Sequence, residues 1–175
     1  EMLRSLVGSE MCIRDRYVDK KTGLPNREKL NIYIGEMAGK VLPEAFTCFT
    51  LSLDNLSELT KRFGYTVGDG VLKDFAGLVQ LMGDTEGMRG YNGVGRFVVF
   101  FEECSSKKAA AMIRILDNQV EEYNSLNPEY PIRYTAAWAT TEETDTYEIR
   151  ELLRLSQKKW KQMEKEKKDK TEEET

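Results

Sequence analysis

Apolar positions along the chain switch repeatedly between the helical and the extended period, and the switches mark out its elements. Behind the loop 19–27 (DKKTGLPNR), where Gly23 and Pro25 turn the chain, Leu30, Ile34 and Met37 have helical spacing and Asn26 is placed to cap the helix. From Phe46 to Leu53 (FTCFTLSL) apolar and small polar residues alternate, which predicts a half-buried strand. Asn55 and Glu58 have the spacing of a capping box and open a short helix that ends at Gly64. Val71, Leu72, Phe75, Leu78, Val79 and Met82 predict a further helix, with Gly83 as its stop. Two short strands, around Met88–Tyr91 and Phe97–Glu102, face each other across a turn at Gly93.

Ser105 and Ser106 are candidate caps for a long helix with Ala109, Met112, Ile113, Leu116 and Val120 on its apolar face, broken by Asn127, Pro128 and Pro131. Ile132–Thr140 (IRYTAAWAT) reads as a strand. Tyr147 to Lys168 reads as the last helix, carrying Ile149, Leu152, Leu153, Leu155 and Trp160. From Lys161 the residues are almost all charged, which predicts a fraying helix end and then a disordered tail over 169–175. This order of elements implies an α+β domain with a largely antiparallel sheet.

At 175 residues the chain has the size of one domain with tails. A net charge of −4 and a pI near 5.2 argue against a nucleic-acid surface, which needs a basic face. No run approaches the roughly 18 apolar residues that cross a bilayer. There is no histidine, which removes imidazole acid/base and metal chemistry. Cys12, Cys48 and Cys104 have no metal-site spacing, so the chain reads as a reduced, cytoplasmic protein. Cys48 and Cys104 are expected to pack as small apolar residues. Trp138 and Trp160 are expected to pack in or beside the core. Leu6 to Arg16 (LVGSEMCIRDR) resembles a translated sequencing-library adapter, which implies a non-native leader over 1–16 and a native start near Tyr17.

Three separated stretches carry a family resemblance. Asp19, Thr22, Gly23, Leu24, Pro25, Asn26 and Arg27 form the first. Ser52-Leu53-Asp54-Asn55-Leu56, Phe63-Gly64-Tyr65 and Gly68-Asp69 form the second, and Gly93-Val94-Gly95-Arg96-Phe97 the third. In that order and at those intervals they resemble the GGDEF domains, over roughly residues 17–168. The resemblance implies a palm-like α+β fold with a five-stranded sheet. Active members are diguanylate cyclases, in which two domains each hold one GTP and each 3′ hydroxyl attacks the other's α-phosphate. Two metal ions held by carboxylates activate the attacking oxygen and hold the triphosphate.

Carried over residue by residue, the family's first metal aspartate falls on Ser52 and the two hairpin acids on Gly95 and Arg96. Formal charge at the site rises by about four units, and a guanidinium repels the cation that the carboxylates would hold. Asp54 remains as a weak metal candidate, with a helix cap as the favoured alternative. Asp69 is retained where the family reads guanine, with a helix-dipole role equally open. The partner asparagine falls on Thr60. Gly93 keeps the turn. Arg96, beside the amides of Gly93 to Gly95, either holds a phosphate without metal or is simply solvated, the latter being favoured. Lys165 and Lys168 are loose equivalents of phosphate-binding bases. The product-inhibition motif falls on Asp84 and Gly87 and is absent.

The resemblance therefore implies a catalytically inactive GGDEF-like domain, acting as a regulatory, nucleotide-sensing or dimerisation module in cyclic di-GMP signalling. The alternatives are a residual cyclase using Asp54 and Mg2+, and a purely structural dimerisation element. GTP or a related guanine nucleotide is the candidate ligand. A second copy or fused signalling domains are the candidate partners, and no resident cofactor is expected.

Overall fold

Thr47–Leu53 forms β1, and all seven of its residues are buried. The half-buried strand expected from the alternation is covered on both faces. Phe49, Leu51 and Leu53 enter one apolar cluster, whereas Cys48 enters the other. Beneath the second layer the strand carries hydroxyls, Thr50 and Ser52, and each finds a partner across the interface. The computed structural model describes residues 15–83 and 86–174. The remainder of the expected leader and Asp84 of the product-inhibition position lie outside the described residues.

Arg27–Met37 forms α1, capped as expected by Asn26, whose side chain accepts from the Lys29 N–H. Leu56–Phe63 forms α2 and ends at Gly64. The expected capping box is not made: Asn55 has no side-chain cap bond, because its amide is spent on Pro131 O and the Arg133 N–H. Tyr65–Gln80 forms α3, beginning six residues before Val71, so Asp69 lies inside a helix and not ahead of one. Gly87–Gly93 and Arg96–Phe101 form β2 and β3. Ser106–Leu126 forms α4, with Ser105 as its cap at 3.2 Å from the Lys108 N–H. Tyr134–Thr140 forms β4, the single turn Thr141–Thr144 is α5, and Ile149–Glu173 is α6.

Among the described residues the strands form one antiparallel sheet of four, in the order β2-β3-β1-β4. The resemblance implied five. The difference arises because the chain leaves β4 directly into α5 and α6, while loop 19–27 contributes only an isolated Val18–Pro25 bridge. One face of the sheet buries Phe97, Val99, Phe101 and Ala136 against Phe75 and Val79 of α3 and Leu116 of α4. The other buries Val98, Phe100 and Ala139 against Leu30 of α1 and Ile149 and Leu152 of α6. No helix among the described residues is long and apolar enough to cross a membrane.

The charged end of the chain does not fray at Lys161, and the segment expected to be disordered is helical to Glu173. Two interactions account for this. Trp160, 3% exposed, anchors the helix on the sheet, and beyond it Lys168 pairs with Glu164 one turn earlier at 3.1 Å. Lys167 also reaches back to Tyr134 O at 2.8 Å.

Packing at the hairpin is close enough to forbid a methyl group. A Cβ on Gly90 would lie 2.3 Å from Cγ of Leu30, a residue only 2% exposed. Gly90→Ala is expected to destabilise the domain by about 1–3 kcal/mol through overpacking. Urea denaturation should show a lower midpoint with an unchanged slope. An unchanged midpoint would contradict the packing described.

Candidate functional site

The row of residues where β3, β1 and β4 lie side by side beneath α6 is the candidate site. Ser52 is in register with Arg96 on one side and Thr135 on the other. Strand alternation turns all three toward the α6 face, the face that also carries Val98, Phe100 and Ala139. Asp54 follows at the end of β1, where its N–H is held by Arg133 O at 2.8 Å.

Hydrogen bonds converge on Asp54. Ser52 Oγ donates to Asp54 Oδ1 at 2.6 Å, and Thr135 Oγ1 donates to Asp54 Oδ2 at 2.5 Å. Each hydroxyl in turn accepts from α6: Trp160 Nε1 donates to Ser52 Oγ at 2.8 Å, and Lys167 Nζ donates to Thr135 Oγ1 at 3.0 Å. Two donors of one helix are thus relayed through two hydroxyls onto one carboxylate. Such a chain polarises its members in the same direction. Asp54 does not cap α2, as the favoured reading of the sequence had it, because both of its oxygens are engaged here.

Arg96 is neither solvated alone nor set in an anion nest. Its Cζ lies 4.7 Å from the centroid of the Trp160 ring, a cation–π arrangement. One of the amides expected to form the nest is committed elsewhere. The Gly95 N–H donates to Tyr91 Oη at 2.9 Å, and Gly95 O accepts from the Leu53 N–H at 2.7 Å. Burial pushes the Tyr91 phenol up, with the Gly95 bond opposing, so its hydroxyl stays protonated. Gly95 itself has φ +73, and a Cβ there would meet Leu53 O at 3.1 Å. A carboxylate side chain at this position would need both the turn and the end of β1 to move.

Beside the row is a cleft of about 430 Å³ lined by Thr60, Lys61, Tyr65, Val94, Arg96 and Trp160, among others. A larger one, about 970 Å³, lies on the far side of Asp54, between β4, α4 and the distal half of α6. Thr60 is in the smaller cleft, but its hydroxyl turns inward and donates to Leu56 O at 2.9 Å. Asp69 lines neither cleft and pairs with Lys21 at 3.3 Å. The two candidate guanine readers line no common cleft. Gly93, at φ +86, packs against Arg27, whose guanidinium holds Asn92 O and Oδ1. Lys165 is exposed, and Lys168 is tied to Glu164.

Magnesium demands near-octahedral oxygen ligands, usually one or two carboxylates plus phosphate and water. Here Asp54 accepts a hydrogen bond on each oxygen, one of them donated by Ser52, Glu164 is paired with Lys168, and a guanidinium lies alongside. Among the described residues no three Asp, Glu, Cys or His side chains gather as a cation site. The residues present do not fit the two metal ions of the family.

Trp160 was expected to pack, and it does, but its indole N–H and ring face also make it the lid of the site. No sequence feature connected it with Arg96, 64 positions away. Cys48 and Cys104 are buried as expected, and burial raises the Cys48 thiol to about 12.

A family model described as "Diguanylate cyclase, GGDEF domain" matches residues 16–170, and the chain belongs to that family. No curated protein matches it in sequence. Among solved structures, a diguanylate cyclase/phosphodiesterase from Caldicellulosiruptor saccharolyticus superposes with a TM-score of 0.67 at 18% identity, over 86% of this chain and 88% of that one. The GGDEF domain of FimX from Pseudomonas aeruginosa gives 0.66 at 18%, covering 81% and 90%. The S helix-GGDEF-EAL portion of Vibrio cholerae LapD, bound to c-di-GMP, gives 0.65 at 14%, covering 79% and 32%. At these identities the likeness is one of fold.

The contact between Arg96 and Trp160 is measurable. Arg96→Gln and Trp160→Leu, alone and together, are expected to show a coupling energy of about 0.5–1 kcal/mol in a double-mutant cycle of unfolding. Additive effects would mean that the two side chains do not interact in solution.

Proposed function

We propose that this GGDEF domain does not make cyclic di-GMP and serves as a regulatory module in cyclic di-GMP signalling. The observation that carries this reading is the row where the resemblance places the metal site. Arg96 lies against the ring of Trp160, whose indole N–H bonds Ser52, and each oxygen of Asp54 accepts a hydrogen bond from a neighbouring hydroxyl. A catalytic site for phosphoryl transfer needs open carboxylate oxygens to concentrate cations against the triphosphate. This row offers a cation and a ring in their place. A module of this kind acts through partners, and GGDEF domains do occur beside others, as the GGDEF-EAL arrangement of LapD illustrates.

Guanine nucleotide sensing has less support. Thr60 is turned onto its own helix and Asp69 is paired with Lys21, so neither presents a free edge-reading group. Incubation of the purified chain with GTP and either Mg2+ or Mn2+, followed by chromatography, is expected to yield no cyclic di-GMP. Calorimetric titration with GTP is expected to give no binding heat. Product that disappears in Asp54→Asn would overturn the reading in favour of a residual cyclase. Heat without product would turn the module into a nucleotide sensor.

A further inference from the structure

The two sides of α6 differ completely in character. Ile149, Leu152, Ser156 and Trp160 are buried against the sheet. Arg150, Arg154, Lys158, Lys161, Lys165 and Lys168 follow one another at steps of four and three residues, and each of them is exposed. With 3.6 residues per turn, these steps set the cations within an arc of about 80° on the side away from the sheet, along about 27 Å of helix. Glu172, in line one turn beyond Lys168, ends the stripe.

Most of this charge is uncompensated. Arg154 pairs with Glu151 and Lys168 with Glu164, but Arg150, Lys158, Lys161 and Lys165 enter no salt bridge among the described residues. The chain as a whole carries −4, so the stripe is a local gathering of cations and not the result of a basic composition. None of the six lines the cleft beside Ser52, which separates the stripe from that site.

The shape of the stripe selects its partner. Glu151, Glu164 and Asp169 flank it on the two sides of the helix. A nucleic-acid groove wraps the flanks of a helix and would press phosphates against these carboxylates. Single strands need aromatic platforms and a partner helix needs an apolar seam, and the line from Arg150 to Lys168 holds neither. A flat surface meets only the outermost line, where every charge is positive.

We infer that the outer face of α6 docks on an anionic lipid surface, with the six cations lying along the headgroups. No apolar side chain of the stripe reaches the acyl layer, so the attachment is electrostatic, reversible and sensitive to salt. It uses the side of α6 opposite Trp160 and leaves the Ser52 row untouched, so it stands or falls separately from the absence of cyclase activity.

Co-sedimentation of the full chain with vesicles of phosphatidylserine and phosphatidylcholine in equal parts tests the docking. The expected result is pelleting with these vesicles in low salt, none with phosphatidylcholine alone, and release as added salt shortens the screening length. Lys158→Gln, Lys161→Gln and Lys165→Gln together are expected to weaken partitioning by about 100-fold, each cation near such a surface being worth roughly 5-fold. Lys20→Gln, Lys73→Gln and Lys107→Gln together remove the same charge from exposed positions off the stripe and are expected to partition like the parent. A chain that stays in the supernatant would overturn the proposal, as would equal pelleting with phosphatidylcholine alone. Equal losses in the two triple variants would also overturn it, making net charge and not the stripe responsible. Retention of a DNA duplex at a salt concentration that releases the vesicles would replace lipid by nucleic acid and overturn it too. If the stripe variant changes the circular dichroism, Arg150→Gln with Lys168→Gln, at the two ends of the stripe, takes its place with an expected loss of about 20-fold.

Discussion

The alignment of α6 along β1 is the constraint on which the rest of this structure depends. Two residues of a strand rise about 6.6 Å and four residues of a helix about 6 Å, so alternate positions of β1 keep step with successive turns of α6. Thr50 meets Ser156 at 2.7 Å, and Ser52 meets Trp160 one turn later. One more turn brings Glu164 beside Asp54, where both line the same clefts. Buried hydroxyls are costly unless bonded, and here each is satisfied across the helix–sheet interface, so the polar positions of β1 fix the register of the helix instead of weakening the core.

That register decides the chemistry of the site. By bringing Trp160 over Ser52 it supplies the ring against which Arg96 rests, and by bringing Lys167 over Thr135 it completes the relay onto Asp54. The one carboxylate, Asp54, then stands among a guanidinium and an ammonium. Where the resemblance places an acid, this chain sets a cation, Arg96, against an aromatic ring. The hairpin shares in it, because Gly95 is bonded to Tyr91 and to the end of β1.

Much of this was legible in the sequence wherever a single element carried the signal. The helix caps at Asn26 and Ser105, the hairpin around Gly93 and the antiparallel α+β order all follow from local pattern and motif. What was not legible depends on pairs far apart. Thr50 and Ser52 read as a solvent-facing alternation because their partners, Ser156 and Trp160, lie more than a hundred residues away. Asp54 and Asn55 read as a cap and a capping box, yet tertiary partners on β4 and its approach outbid the local bonds. The tail read as disordered from its charge, whereas anchoring at Trp160 and the Lys167 bond extend the helix through it.

The central claim is that Arg96, held against Trp160, keeps metal ions from the position where the resemblance places them. The indole N–H resonance of Trp160, followed by NMR as Mn2+ and GTP are added, tests it most directly, since a paramagnetic ion beside Ser52 would broaden that signal strongly. The account predicts a sharp, exchange-protected indole signal that Mn2+ and GTP leave unchanged. Selective broadening of the Trp160 indole, with that of Trp138 unaffected, would contradict it.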